Sequence, residues 1–181
     1  MKLSFLSLVP FIAFIIGKAM GGSFKKMIDE MYKLDKVGFG FVGMIILDLT
    51  KDNPEMIPYA WIAGHLFAFI FFWANRRNVP LLIVGVGMFL NFFVVTANGF
   101  AMPVEEAHVT RDPELMNLYL KKGLDPLHAF ATNETRFYFL SDVVYLPRLL
   151  WFHPSVVSPG DLVKAVGALF LIPTLMLRKK E

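Results

Sequence analysis

Any chemistry in this chain must come from a short list of side chains: four histidines, fifteen scattered carboxylates and no cysteine. Lacking cysteine, the chain has no route to disulfides, thiolate zinc sites, iron–sulfur ligation or a cysteine nucleophile. His65 stands among Leu66, Phe67 and Phe69. An ionisable group in so apolar a stretch is a candidate for a proton or ligand role, with a neutral imidazole bonded to another helix as the structural alternative. Asn91 holds a comparable place in the next apolar block, so a His65–Asn91 pair could line a polar path. Glu105, Glu106 and His108 are close enough in sequence to take a divalent cation, although a solvated acidic loop accounts for them more simply. Arg136, Asp142 and Arg148 fall in or beside a strongly apolar segment, where charges need partners. An Arg136–Asp142 pair would lock that segment in place, or the same groups would line a polar cavity. Asn98-Gly99 reads as a tight turn, since both residues tolerate left-handed backbone. Gly160-Asp161 opens a helix whose free amides could meet an anion, although the carboxylate of Asp161 disfavours a strongly anionic one.

Several catalytic signatures are missing: there is no Walker loop, no His-Glu-x-x-His and no Gly-x-Ser-x-Gly elbow. Gly38-x-Gly40-x-x-Gly43 matches the dinucleotide fingerprint in letters only. It lies inside an apolar stretch, where small residues allow helices to approach. No catalytic residue, metal or cofactor is therefore assigned. The ligand or polar-path candidates are His65, Asn91, Asn98, Arg136, Asp142 and Asp161.

The elements that must position these residues are apolar blocks. Of 181 residues, 56% are hydrophobic and 18% charged, with a mean hydropathy of +0.55. Soluble domains carry roughly 45–50% apolar and about 25% charged residues. A span needs about 20 apolar helical residues. The chain reads as one all-α integral membrane domain over 1–181, with five spans near 3–20, 32–49, 56–74, 79–98 and 160–177 and a structured external cap over 99–159. The second span is short unless its helix begins inside Phe24–Lys36, a stretch whose Phe24, Met27, Ile28, Met31 and Tyr32 suit an interfacial amphipathic helix. Pro10 and the basic residue at Lys18 argue that the first block is kept as a span and is not a cleaved leader.

Orientation follows the basic residues of short loops. Lys18, Lys25, Lys26, Lys33 and Lys36, then Arg76 and Arg77, then Arg178-Lys179-Lys180 all fall on one side of a five-span chain. Asp48, Asp52 and Glu55 fall on the other. The N-terminus is expected outside and the C-terminus in the cytoplasm, with Tyr59, Trp61, Trp73 and Trp151 near the interfaces. In the cap, Asp112-Pro113-Glu114 starts one short helix that Gly123 ends. Asp125-Pro126 starts another across Leu127–Ala131. Ser158-Pro159-Gly160-Asp161 has the spacing of a reciprocal capping box. Phe137–Phe152 is too apolar for water and too charged, at Asp142 and Arg148, for a full span. It is expected to be re-entrant or to lie in the interface packed on the bundle, with a partner-covered surface as the alternative.

Three ordered motifs carry a likeness. Gly87-x-x-x-Asn91…Ala97-Asn98-Gly99-x-x-Met102-Pro103-Val104, Thr135-Arg136-x-x-x-Leu140-x-Asp142 and Val156-Val157-Ser158-Pro159-Gly160-Asp161 together resemble an uncharacterised bacterial multi-pass membrane family, a domain of unknown function. The resemblance implies an architecture, a bacterial cytoplasmic membrane setting and no reaction. The expected partners are the lipid bilayer and a membrane protein or a second copy of the chain; nucleic acid is not among them. The expected role is a non-catalytic accessory or binding component. A small transporter or channel component using His65 and Asn91 and a membrane-interface enzyme acting on lipid stand as alternatives.

Overall fold

A computed structural model describes residues 5–50, 53, 55–121, 127–149 and 152–177. Lys2, Asp52, Gly123, Asp125-Pro126, Trp151 and Arg178-Lys179-Lys180 lie outside the described residues. A 3-10 turn leads into α1 (Val9–Ala19), followed by α2 (Phe24–Tyr32), α3 (Val37–Thr50), α4 (Ile57–Ala74) and α5 (Val79–Ala97). The cap then contributes β1 (Met102–Val104), α6 (Glu106–Arg111), α7 (Pro113–Met116), β2 (His128–Phe130), β3 (Val144–Leu146) and β4 (Ser155–Val157). The chain closes with α8 (Pro159–Leu177).

Helices α4, α5 and α8 are each long and apolar enough to cross a bilayer. Each begins with proline in its first turn, where the missing N–H costs nothing. The expected first span is α1, which reaches spanning length only together with α2, and those two meet at a bend of 113°. Gly21, at φ +85°, makes this bend, and Ser23 caps α2 by accepting from the Lys26 amide. The expected second span is shorter than 32–49. The chain breaks between Tyr32 and Val37, where Lys36 takes φ +54°. That leaves α3 with 14 residues, about 21 Å at 1.5 Å per residue.

Core positions are unusually small. A Cβ on Gly43 would sit 2.5 Å from the Gly64 carbonyl, so α3 and α4 touch backbone to backbone, while one on Gly38 would meet nothing. The glycine-rich run thus works partly as a packing surface. Large apolar side chains face outward instead: Phe11 and Ile15 are 65% exposed, Phe89 53% and Phe170 57%. A surface this apolar needs a nonaqueous cover. Tyr59 and Trp73, at opposite ends of α4, are each 71% exposed.

The two ends of the bundle differ chemically. Asn75 exchanges hydrogen bonds with the backbone of Asp35, and the Ser23 amide reaches Met176 O at 3.2 Å. These contacts gather Lys18, α2 and the Arg76-Arg77 turn at one end. The cap sits at the other. It is not all-helical: β1 pairs in parallel with β2, and β3 runs antiparallel to β4 with Val144 opposite Val157. The stretch expected as a helix over Leu127–Ala131 is therefore strand β2. Its His-Ala-Phe sequence is too short for a stable helix, and pairing with β1 satisfies its backbone. The apolar Phe137–Phe152 segment forms a 3-10 turn at Tyr138–Leu140 and then β3. The turn packs on α5 and α8, and the Phe137 ring meets Phe93 at 4.5 Å. Val104, Val109, Leu115 and Val156 form a separate small core within the cap.

Candidate functional site

Four polar side chains interlock where α5 meets the first turn of α8. Ser158 and Asp161 form the reciprocal capping box: the Asp161 amide donates to Ser158 Oγ at 3.0 Å, and the Ser158 amide donates to Asp161 Oδ2 at 3.2 Å. Asn91, buried on α5, bridges both. Its Nδ2 donates to Asp161 Oδ1 at 2.9 Å, and its Oδ1 accepts from Ser158 Oγ at 2.9 Å. Lys164, one turn along α8, places Nζ 2.7 Å from Asp161 Oδ1. The approach is only possible with glycine on both helices. A Cβ on Gly160 would lie 1.9 Å from Asn91 Oδ1, and one on Gly87 would lie 2.5 Å from Gly160 O. Because the Asp161 amide is already taken by Ser158, the anion site considered at this helix start loses one of its donors.

The expected His65–Asn91 pair does not form. Asn91 and Phe92 are neighbours on α5 and point about 100° apart, so Asn91 turns to α8 while Phe92 turns to α4. His65, 3% exposed, accordingly meets aromatic rings: Trp61 at 4.2 Å, Phe92 at 5.0 Å and Phe69 at 5.9 Å. Its Nδ1 reaches Trp61 O, 2.8 Å away and one turn back.

Asn98 staples the cap to the end of α5. Its Nδ2 donates to Val94 O and to Arg136 O, and its Oδ1 accepts from the Arg136 amide at 2.9 Å. The next two residues, Gly99 and Phe100, take positive φ, as the tight-turn reading requires. Arg136 thus contributes its backbone to the junction, and its side chain is exposed. The Arg136–Asp142 lock is not what the structure holds. The basic side chain beside Asp142 is His128, with Nε2 3.9 Å from Asp142 Oδ2, where β2 and Asp142 pair to opposite edges of β1.

Asp142 is the most unusual group in the cap. Its amide donates to Pro103 O and its carbonyl accepts from the Glu105 amide, each at 2.9 Å. Its side chain is 7% exposed, and Oδ1 has no hydrogen-bond partner. Burial and then the nearby Asp161 carboxylate push its pKa up to about 8, opposed by Lys164. The carboxyl therefore holds a proton at neutral pH. Ser141, fully buried beside it, also has an unpartnered Oγ.

The other cap histidines have separate partners. His108 Nε2 lies 3.0 Å from Val143 O, and His153 pairs with Glu114, which Arg148 also approaches at 3.8 Å. Glu105 caps α6 and accepts from the Tyr138 hydroxyl, a bond that lowers its pKa. Among the described residues no three His, Cys, Asp or Glu side chains are placed to hold a metal. Lys164 is a junction residue missing from the candidates read from the sequence, although the i,i+3 spacing of Asp161 and Lys164 is a readable signal for it.

Together these features define a class: an apolar helical bundle suited to a bilayer, carrying a small mixed cap and a polar lock between two helices. The chain belongs to a family of unknown function, DUF5317, whose model matches residues 36–173, from the start of α3 into α8. It is 29% identical over 161 residues to an uncharacterized protein of Thermotoga maritima, covering 87% of this chain and 84% of that one. No solved structure matches.

Proposed function

We infer that this chain is an integral protein of the bacterial cytoplasmic membrane and a non-catalytic binding or accessory component. In this reading α4, α5 and α8 are full passes and α1, with the turn before it, and α3 are two shorter ones, with the cap outside and the basic end in the cytoplasm. The exposed apolar faces of these helices support the membrane placement, and the gathering of basic residues at one end supports the orientation. The short α3 crosses against α4, where local thinning or tilt of neighbours accommodates it. The observation that carries the role is the mutual satisfaction of Asn91, Ser158, Asp161 and Lys164. Side chains that would line a polar path are instead spent on holding two helices together, and His65 is walled off by rings.

The absence of native cysteine makes topology directly testable. A single Cys at Thr132 should react with a membrane-impermeant maleimide on intact cells, and one at Arg77 only after permeabilisation; the reverse pattern refutes the orientation. In proteoliposomes the protein should add no proton flux under an imposed gradient. A protein-dependent flux that His65→Ala abolishes would overturn the binding role in favour of transport.

A further inference from the structure

The bundle packs tightly within two groups, α3 with α4 and both α1 and α5 with α8, with slack between them. Helices α3 and α4 meet at Gly43 and Gly64, and α5 and α8 meet at Gly87, Gly160 and Gly167. Helices α4 and α5, although consecutive, touch over a much shorter stretch. Between the pairs lies a half-open apolar cavity of about 380 Å³, walled by Met27 and Met31 of α2, Met44 of α3, Ala68 of α4, Met88 of α5 and Leu171 of α8, among others. It falls within the roughly 300–1,000 Å³ of ligand sites. Its apolar wall gives water no partners, and its methionines adapt to a flexible guest.

Helix α2 closes the cavity at the basic end. Around that end, among the described residues, stand seven basic side chains (Lys18, Lys25, Lys26, Lys33, Lys36, Arg76 and Arg77) against three acidic ones, Asp29, Glu30 and Asp35. An apolar, hydrocarbon-sized cavity beneath a cationic rim is complementary to an amphiphile with an apolar chain and an anionic head. We propose that the cavity between the α3–α4 and α5–α8 pairs holds one acyl chain of an anionic phospholipid whose headgroup is bound at the α2 rim by Lys25 and Lys26. This deepens the binding role above and rests on the membrane placement, which the cysteine labelling tests separately.

The test uses the full chain in vesicles of equal phosphatidylglycerol and phosphatidylcholine, extracted into mild detergent and weighed by native mass spectrometry. One phosphatidylglycerol per chain should be retained. Ala68→Phe, or Leu171→Phe on the facing helix, should cut that retention about tenfold while the size-exclusion profile is unchanged. Lys25→Gln with Lys26→Gln should abolish the preference for phosphatidylglycerol. Equal retention of both lipids, no retention, a second copy of the chain in place of lipid, or full retention by both folded cavity-filling variants would overturn the proposal. Any of these with correct cysteine labelling leaves the membrane placement intact.

Discussion

Asp142 should make this protein lose stability as pH rises, the opposite of an ordinary paired carboxylate. An exposed aspartate titrates near pH 3.9 in an unfolded chain, whereas burial behind β1, with Oδ1 unpartnered and Asp161 close by, holds the native group at about 8. Between those values the folded state binds more protons than the unfolded state, so stability falls with pH. The contribution is complete below about pH 4 and is lost as pH climbs through 8. At 1.36 kcal/mol per unit, the change from pH 5 to pH 8 is at most on the order of 4 kcal/mol. That corresponds to about 8–16 °C in Tm for a chain of this size. Asp142→Asn preserves the shape and neutrality of the protonated acid and removes the titration. The assay is thermal unfolding in mild detergent from pH 5 to pH 9, for both proteins. The two should nearly coincide at pH 5, and Asp142→Asn should be the more stable above pH 8. Repeating the pair in a His128→Gln background isolates the Asp142 proton from its neighbour. Parallel curves in both backgrounds would refute the claim that a neutral acid is buried here.

Gly160→Ala should force α5 and α8 apart, since its Cβ would meet Asn91 Oδ1 at 1.9 Å. A loss of about 1–3 kcal/mol is expected from overpacking, read as a lowered Tm in detergent, while Gly38→Ala, with open space around its Cβ, should leave Tm unchanged or raise it. Asn98→Ala removes the staple to Arg136. At about 1 kcal/mol per lost bond, amide exchange at Arg136 should quicken roughly tenfold or more, with exchange in α4 unaffected.

Much of the architecture was legible because hydropathy and helix punctuation act locally. The apolar blocks over 56–74, 79–98 and 160–177 became α4, α5 and α8 nearly to the residue. Ser158-Pro159-Gly160-Asp161 announced a capping box that formed as spaced, because its partners are three residues apart. The second apolar helix starts later than expected for a local reason as well: Lys36 leaves helical backbone, so α2 and α3 never join. The cap was less legible. Strand pairs such as His128 with Met102 depend on residues far apart in the chain, and a three-residue strand carries too little pattern to show itself.

The candidate site divides along the same line. Residue types determined that Asn91, Asp142 and Asp161, set in apolar surroundings, would each need an answer to their polarity. Only the tertiary structure decided what that answer was. The rotation of α5 turned Asn91 onto Ser158 and Asp161 and away from His65, and the β1–β2 pairing set His128 beside Asp142 in place of Arg136. A hydrogen bond has a reach of about 3 Å. Which groups come within it depends on helix rotation and strand register, quantities that packing sets and that spacing along the chain does not encode.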